Sequence, residues 1–384
     1  MSTPSEWAPT DFMPELPEEL TAEWLTGALG VDVVAVDQTV LGEGQGFMGD
    51  ILRLSLHSPA AAAPASVIAK LPKRANRGMG EMIGVYEREI MFFRTLAEEM
   101  PVRIPGLVYA DFDRDRGSES QEKILRFLDR MPRFLVGVIA AAGARIAAGK
   151  KRRYVLLLED LAPMQPADQL AGLDVAGCKR VLEAIAPMHR HFWRSERLRG
   201  HFWLLPFDVD ARLRHGRFRQ NRERFAASLD ADLGPILAWL DPNGEALVRR
   251  FVAEAPETLA HCDLRLDNVM FGDEGCAFID WQLLRRAPAA LDVAYFLSGA
   301  LHEDAGADAE YEVIEHYHRA LDIEDYGFAA FERDYRRAML MHLAMLASAD
   351  EVDFGNDRGG TMMKAWMRRL TARVRDIDPA ALMA

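Results

Sequence analysis

The sequence predicts an α+β chain in two parts, a small antiparallel-sheet lobe followed by a larger, mainly helical lobe. Three features predict it: strand-like runs in succession near the N-terminus, a compact apolar run YVLLL at 154–158, and helix-period segments over most of the remaining chain. Glu159-Asp160-Leu161 breaks the apolar run, so the boundary falls there. Residues 1–161 form the first part and 162–384 the second, with an insertion-like segment at about 114–153. A length of 384 residues by itself favours two domains over one.

After a short helix expected at 18–29, VDVVAVDQTVL, DILRLSLH and SVIAKLP read as three strands of an antiparallel meander. The Gly-rich GEGQGFMG joins the first two, and SPAAAAPA, a loop of no special chemistry, joins the second and third. A helix is expected from about 80 to 99, where Ile83, Tyr86, Ile90, Phe93 and Ala97 recur at spacings of three and four. Pro101 and Pro105 end it, and LVYADF is the next strand. The segment at 114–153 is helical in pattern and closes on KKRR. Its apolar run, 134–149, carries Arg145 and is shorter than the roughly 20 residues that span a bilayer. It is therefore expected to be a helix that packs against the protein, with a membrane-surface helix as the alternative. Beyond the boundary, helices are expected near 176–192, 244–254, 289–301, 310–321, 328–347 and 361–374, with one strand region at 268–280. HFWLLPF at 201–207 reads as core, or as an apolar wall for a substrate.

Charge and cysteines narrow the function. Forty-six Lys and Arg against 59 Asp and Glu give −13, which argues against nucleic acid or an anionic membrane surface and favours a neutral or cationic small molecule. Cys178, Cys262 and Cys276 have neither zinc nor disulfide spacing. The acidic, Pro-rich N-terminal residues lack the pattern of a secretory signal, and a cytoplasmic location is expected.

The chemistry sits in four places. Gly44-x-Gly46-x-x-Gly49 lies between two expected strands, where backbone N–H groups can approach a phosphate; alone, it is equally a tight turn. Lys70 closes the strand VIAK beneath that loop, within reach of a nucleotide's phosphates. Glu89 on the next helix can orient it, whereas Glu87 lies on another face. The strongest signal is His261-Cys262-Asp263-Leu264-Arg265-Leu266-Asp267-Asn268, followed by a short hairpin and Ile279-Asp280-Trp281. Phosphoryl transfer needs a carboxylate to take the acceptor hydroxyl's proton, and a second carboxylate with an amide to hold magnesium. Asp263, Asp280 and Asn268 supply these groups. Turn-capping roles for the aspartates are the plain alternative. His261 is expected to order the loop. Asp292, at the start of an apolar helix, reads as a helix cap, as a contact steadying the loop, or as both.

These residues resemble the aminoglycoside phosphotransferase superfamily, and within it the ecdysteroid-kinase-like branch. The resemblance rests on GEGQGFMG, VIAK, YEREIMFF, LLLEDLAPMQPADQL, HCDLRLDNVMF and IDWQLLRRAPAALDVAYFL, and it covers most of the chain. It implies a protein-kinase-like fold, ATP with Mg2+, adenine bonded to backbone near Glu159, Asp160 and Leu161, and a small hydroxyl-bearing acceptor on the helical lobe. The acceptors compatible with it are an antibiotic, a sterol-like alcohol, a choline-type amine or a sugar. Lys70, Glu89, Asp263, Asn268 and Asp280 match the family's functional positions. Cys262 departs from it, standing where Gly is frequent. The rival reading is a catalytically silent nucleotide-binding scaffold, and retention of the whole set from Lys70 to Asp280 counts against it.

Overall fold

Burial alternates along the strand at 66–71. The computed structural model describes residues 12–41, 49–73, 77–113, 121–131, 135, 139, 152–227, 229, 233–348 and 357–383. The chain divides into two compact units, one of residues 1–99, 105–116 and 140–162, the other of residues 100–104, 117–139 and 163–384. The first unit contains α1 (Ala22–Leu29), β1 (Ala35–Val40), β2 (Gly49–His57), β3 (Ser66–Pro72), α2 (Arg77–Ile83), α3 (Val85–Thr95), β4 (Leu107–Phe112) and β5 (Tyr154–Glu159). The strands pair antiparallel in the order β1-β2-β3-β5-β4. Val67, Ala69 and Leu71 of β3 and Val155 and Leu157 of β5 are buried in one cluster with Trp24 and Leu25 of α1. Successive strand residues face opposite ways, so Lys70 belongs to the other face of the sheet.

The helix expected from about 80 to 99 is divided. Gly84 takes φ +68°, a left-handed conformation that costs Gly little, and it separates α2 from α3 before a 3-10 turn at Ala97–Glu99. The apolar spacing runs through Gly84 unbroken, so periodicity could not show the division. Of the segment at 114–153, Gln121–Arg130 forms α4, which belongs to the second unit. Apart from 135 and 139, which are helical, the run at 134–149 lies outside the described residues.

The second unit is mainly helical: α5 (Val175–His191), α6 (Ala211–Ala227), α7 (Gly234–Glu254), α8 (Ala290–Ala300), α9 (Ala307–Leu321), α10 (Phe328–Ser348) and α11 (Asp357–Val374). Short strands interrupt it. β6 (Gln165–Pro166), β8 (Val269–Gly272) and β9 (Gly275–Phe278) make one sheet, and β7 (Glu257–Ala260) pairs antiparallel with β10 (Arg285–Pro288). Every residue of α8 is buried, the pattern of a helix surrounded by protein, and α10 and α11 pack against it. Trp203, Leu204, Leu205 and Phe207 are core.

Two helices depart from the sequence reading. α6 escaped it because two of its five buried residues, His215 and Asn221 among Ala211, Phe218 and Phe225, are polar. α7 starts at Gly234 rather than near 244 and runs through Pro242, a residue that removes a helical N–H and ordinarily breaks the pattern. Neighbouring groups bond the backbone there. His215 Nε2–H donates to Asp241 O at 2.9 Å and Asn243 Nδ2 to Trp239 O at 2.9 Å. Gly244 lets the His215 ring approach, since a Cβ there would lie 2.7 Å from Nδ1. Among the described residues no helix is long and apolar enough to cross a membrane.

His342 of α10 is buried against α8, its Nε2–H donating to Leu291 O at 3.2 Å. Burial pushes its ring down to about 4. Because the unfolded chain binds this proton more readily, the stability the neutral ring carries is complete above about pH 6.5 and is lost as pH falls toward 4. Between pH 7 and pH 5 the loss should reach roughly 2 kcal/mol. Urea unfolding at those two values measures it, and His342→Phe should flatten the dependence.

Candidate active site

In the first unit, the strand alternation that puts Val67, Ala69 and Leu71 in the core leaves Lys70 to meet α3. Lys70 Nζ lies 2.7 Å from Glu89 Oε1, with both side chains largely buried. Glu87, two residues earlier, pairs instead with Arg152 at 2.9 Å. The two glutamates stand on different faces of α3, as 100° per residue requires. Gly49 opens β2 opposite Pro72, where a Cβ would lie 3.0 Å from Leu71 O. Gly44 and Gly46 lie outside the described residues.

At the end of β5, Glu159 N donates to Gly106 O at 2.8 Å, and Glu159 Oε2 accepts from Gly106 N at 2.9 Å. The Asp160 carboxylate accepts from Arg53 Nε at 2.6 Å, Ser66 Oγ at 2.7 Å and Ala162 N at 3.1 Å. Burial opposes its charge, but the bonds from Arg53 and Ser66 hold its carboxyl below the usual range. Leu161 is buried. The side chains of 159–161 are thus spent inside the protein.

The loop from His261 to Asn268 leaves β7 and re-enters at β8, and β10 closes it by pairing Arg285 with Ala260. Its backbone is held from outside. Asp292, in the first turn of α8, accepts from His261 N at 2.6 Å and Cys262 N at 2.8 Å. His189 Nε2–H also donates to Asp292, at 3.1 Å, because an ionised carboxylate can only accept, and His189 Nδ1 bonds the Tyr317 hydroxyl at 2.7 Å. Burial works against the Asp292 charge, yet His189 and Cys262 N hold its carboxyl below the usual range. Farther along, Leu266 N donates to Gln169 Oε1 at 2.8 Å. His261 orders the loop, its Nε2–H donating to Ile279 O at 3.0 Å.

Cys262 takes φ +62°. That is the left-handed region, which Gly enters freely and other residues at a cost of about 1–2 kcal/mol. The residue differs from the resembled pattern, but the backbone has the conformation Gly would favour. Asp292, bonding the N–H groups on either side of the His261 Cα, keeps it so.

Asp263 is 7 % exposed. Its Oδ1 accepts from the Tyr295 hydroxyl at 2.7 Å and its Oδ2 from Asn268 Nδ2 at 3.0 Å, while Arg265 Nε stands 3.6 Å from Oδ2. Burial, opposed by Arg265 and reinforced by Asp280, pushes its carboxyl above the usual range. The hairpin β8–β9 returns the chain so that Ile279 N donates to Asn268 O at 3.0 Å, which brings Asp280 alongside Asn268. Asp280 takes φ +66°, a conformation Asp tolerates better than most residues. Asp263, Asn268 and Asp280 therefore lie together in the second unit.

Magnesium prefers oxygen ligands and is commonly held by one or two carboxylates plus substrate phosphates. Asn268 commits Nδ2 to Asp263 and keeps Oδ1, and Asp280 offers a carboxylate, so the donor set fits such an ion. Among the described residues no group of three or more His, Cys, Asp or Glu could hold a metal ion by itself.

Sequence reasoning had not found Tyr295, Gln169 or His189. Tyr295 carried a signal, standing three residues after Asp292 on the same helical face. The other two reach the loop from distant helices and segments, where no spacing rule applies.

The same architecture occurs in solved structures. A gentamicin complex of APH(2'')-IIa is 14% identical, with a TM-score of 0.51 over 93% of this chain and 97% of that one. The microcompartment-associated aminopropanol kinase is 14% identical, with a TM-score of 0.52 over 91% and 94%. A GDP complex of an aminoglycoside 2'-phosphotransferase IIIa variant is 13% identical, with a TM-score of 0.51 over 88% and 90%. At such identities the likeness establishes the fold, which is protein-kinase-like. A profile of the phosphotransferase enzyme family matches residues 87–331, more than half of the chain. The chain belongs to that family and is a small-molecule kinase. Comparison with curated proteins finds no match.

Removing the Asp292 carboxylate would orphan the buried His261 N–H, the part-buried Cys262 N–H and the buried His189 ring donor. Asp292→Ala should therefore cost about 3 kcal/mol or more, read as a lowered urea midpoint. A loss below about 1 kcal/mol would contradict its hold on the loop.

Proposed function

We propose that this kinase transfers the terminal phosphate of ATP to a hydroxyl group of a small molecule, with Asp263 accepting the hydroxyl proton. The observation that carries this reading is the Asp263 carboxylate, buried, anchored on both oxygens and set beside Asn268 and Asp280. In the proposed step the acceptor oxygen forms a bond to the terminal phosphorus as the bridging P–O bond breaks. ADP leaves with that electron pair, and the acceptor's proton passes to Asp263. Lys70, oriented by Glu89, binds phosphate oxygens, and Gly44, Gly46 and Gly49 cover them with backbone. The adenine bonds backbone near Glu159, Asp160 and Leu161. Asn268 and Asp280 hold Mg2+, which when bound neutralises phosphate charge. The protein's own contribution is a fixed arrangement of charge around the reacting atoms, so little has to reorganise during transfer.

The acceptor is proposed to be an amine-bearing alcohol. One structural neighbour is a gentamicin complex and another an aminopropanol kinase, and the net charge of −13 favours a cationic molecule. A cytoplasmic location is proposed, in keeping with three cysteines that form no disulfide.

Phosphorylation of a panel spanning gentamicin, aminopropanol, choline, a sterol alcohol and a sugar, followed by ADP release, tests the reading. Turnover that requires Mg2+ is expected with at least one member. Magnesium-dependent stabilisation by ATP with no turnover on any member would favour a nucleotide-binding scaffold. Asp263→Ala should lower turnover at least about a thousandfold, roughly 4 kcal/mol of barrier, and leave ADP affinity nearly unchanged by calorimetry. Near-normal turnover in that variant would remove Asp263 from its role.

A further inference from the structure

The base proposed above is gripped by a residue with no part in that mechanism. A carboxylate on a terminal sp3–sp2 torsion has a broad, roughly two-fold rotational preference, so one bond does not fix its plane. Asp263 has one anchor on each oxygen, Asn268 Nδ2 on Oδ2 and the Tyr295 hydroxyl on Oδ1. The second anchor is itself immobilised. The Tyr295 ring meets His342 at 80° with centroids 4.8 Å apart and Trp366 at 83° with centroids 5.2 Å apart. Trp366 Nε1–H donates to Ser298 Oγ at 2.9 Å, and Ser298 Oγ–H to Tyr295 O at 2.7 Å. These contacts hold the phenol in place, and its buried hydroxyl spends its one proton on Asp263.

We infer that Tyr295 is a positioning residue, its hydroxyl setting the plane of the Asp263 carboxylate so that an unused lone pair faces the acceptor hydroxyl. Four lone-pair sites are available on an ionised carboxylate. Tyr295 and Asn268 occupy one on each oxygen and prevent the two oxygens from exchanging places. Loss of the hydroxyl leaves the base held on Oδ2 alone, by Asn268 and Arg265, so its plane is less closely set and the fraction of encounters in productive geometry falls. The inference rests on the phosphotransferase reading and adds to it the residue that orients its base.

The test is a double-mutant cycle on the full chain, with MgATP as donor and phosphate release to water, the one acceptor certain to be present, as the readout. Tyr295→Phe should lower kcat about tenfold, with KM for MgATP and the ADP dissociation constant unchanged within about twofold. In an Asp263→Ala background the same change should have no further effect, because a group that acts only through Asp263 loses its target. An equal loss in both backgrounds, or none in either, overturns the inference while leaving the reading of Asp263 intact. Should Tyr295→Phe not fold, Trp366→Phe keeps the hydroxyl and removes the Ser298 bond. A twofold to threefold loss confined to the Asp263 background is then expected, and an equal loss in both backgrounds would overturn the inference. If the unaltered enzyme releases no phosphate to water or to any panel acceptor, the phosphotransferase reading ends, and the inference ends with it.

Discussion

One buried carboxylate, that of Asp292, holds the second unit's loop in its working shape. It accepts from two consecutive backbone N–H groups, at His261 and Cys262, and from the His189 ring. The arrangement is costly to assemble, because a desolvated carboxylate must be repaid by donors of good geometry. Once assembled, it keeps Cys262 at φ +62° and so determines how the chain enters Asp263. The His189–Tyr317 bond extends the grip to α9, so packing far from the loop is felt at its backbone.

α8 carries this grip because of its sequence. It is apolar on all sides and therefore buried, yet it presents Asp292 in its first turn and Tyr295 one turn on, both toward the same loop. A carboxylate in a first turn is also favoured by the helix dipole. The surrounding aromatic and histidine side chains exclude water, which strengthens every polar contact inside and forces His342 to stay neutral. Stability and positioning are therefore consequences of the same burial.

The first unit works differently. Lys70 and Glu89 meet through local rules, strand alternation and helical angle, and the decision between Glu87 and Glu89 follows from which face of α3 each occupies. Arg152 then neutralises the glutamate left over. This is a case where secondary structure alone nearly determines a contact.

What the sequence determined by itself was the α+β class, the succession of the first unit's strands, most of the helices, and the spacing that singles out Lys70, Glu89, Asp263, Asn268 and Asp280. These are short-range quantities, written in alternation, in helical period and in the two-strand return from Asn268 to Asp280. It did not reveal α6 or the full length of α7, because polar residues such as His215 complete one helix's buried face and bond the other's backbone around Pro242. Nor could it reveal what holds the loop. Gln169 reaches Leu266 across 97 residues and His189 reaches Asp292 across 103, and no period or turn rule connects positions so far apart. Only the tertiary structure decides those partners, because each buried donor must find whichever acceptor the packing of separate helices brings within about 3 Å of it.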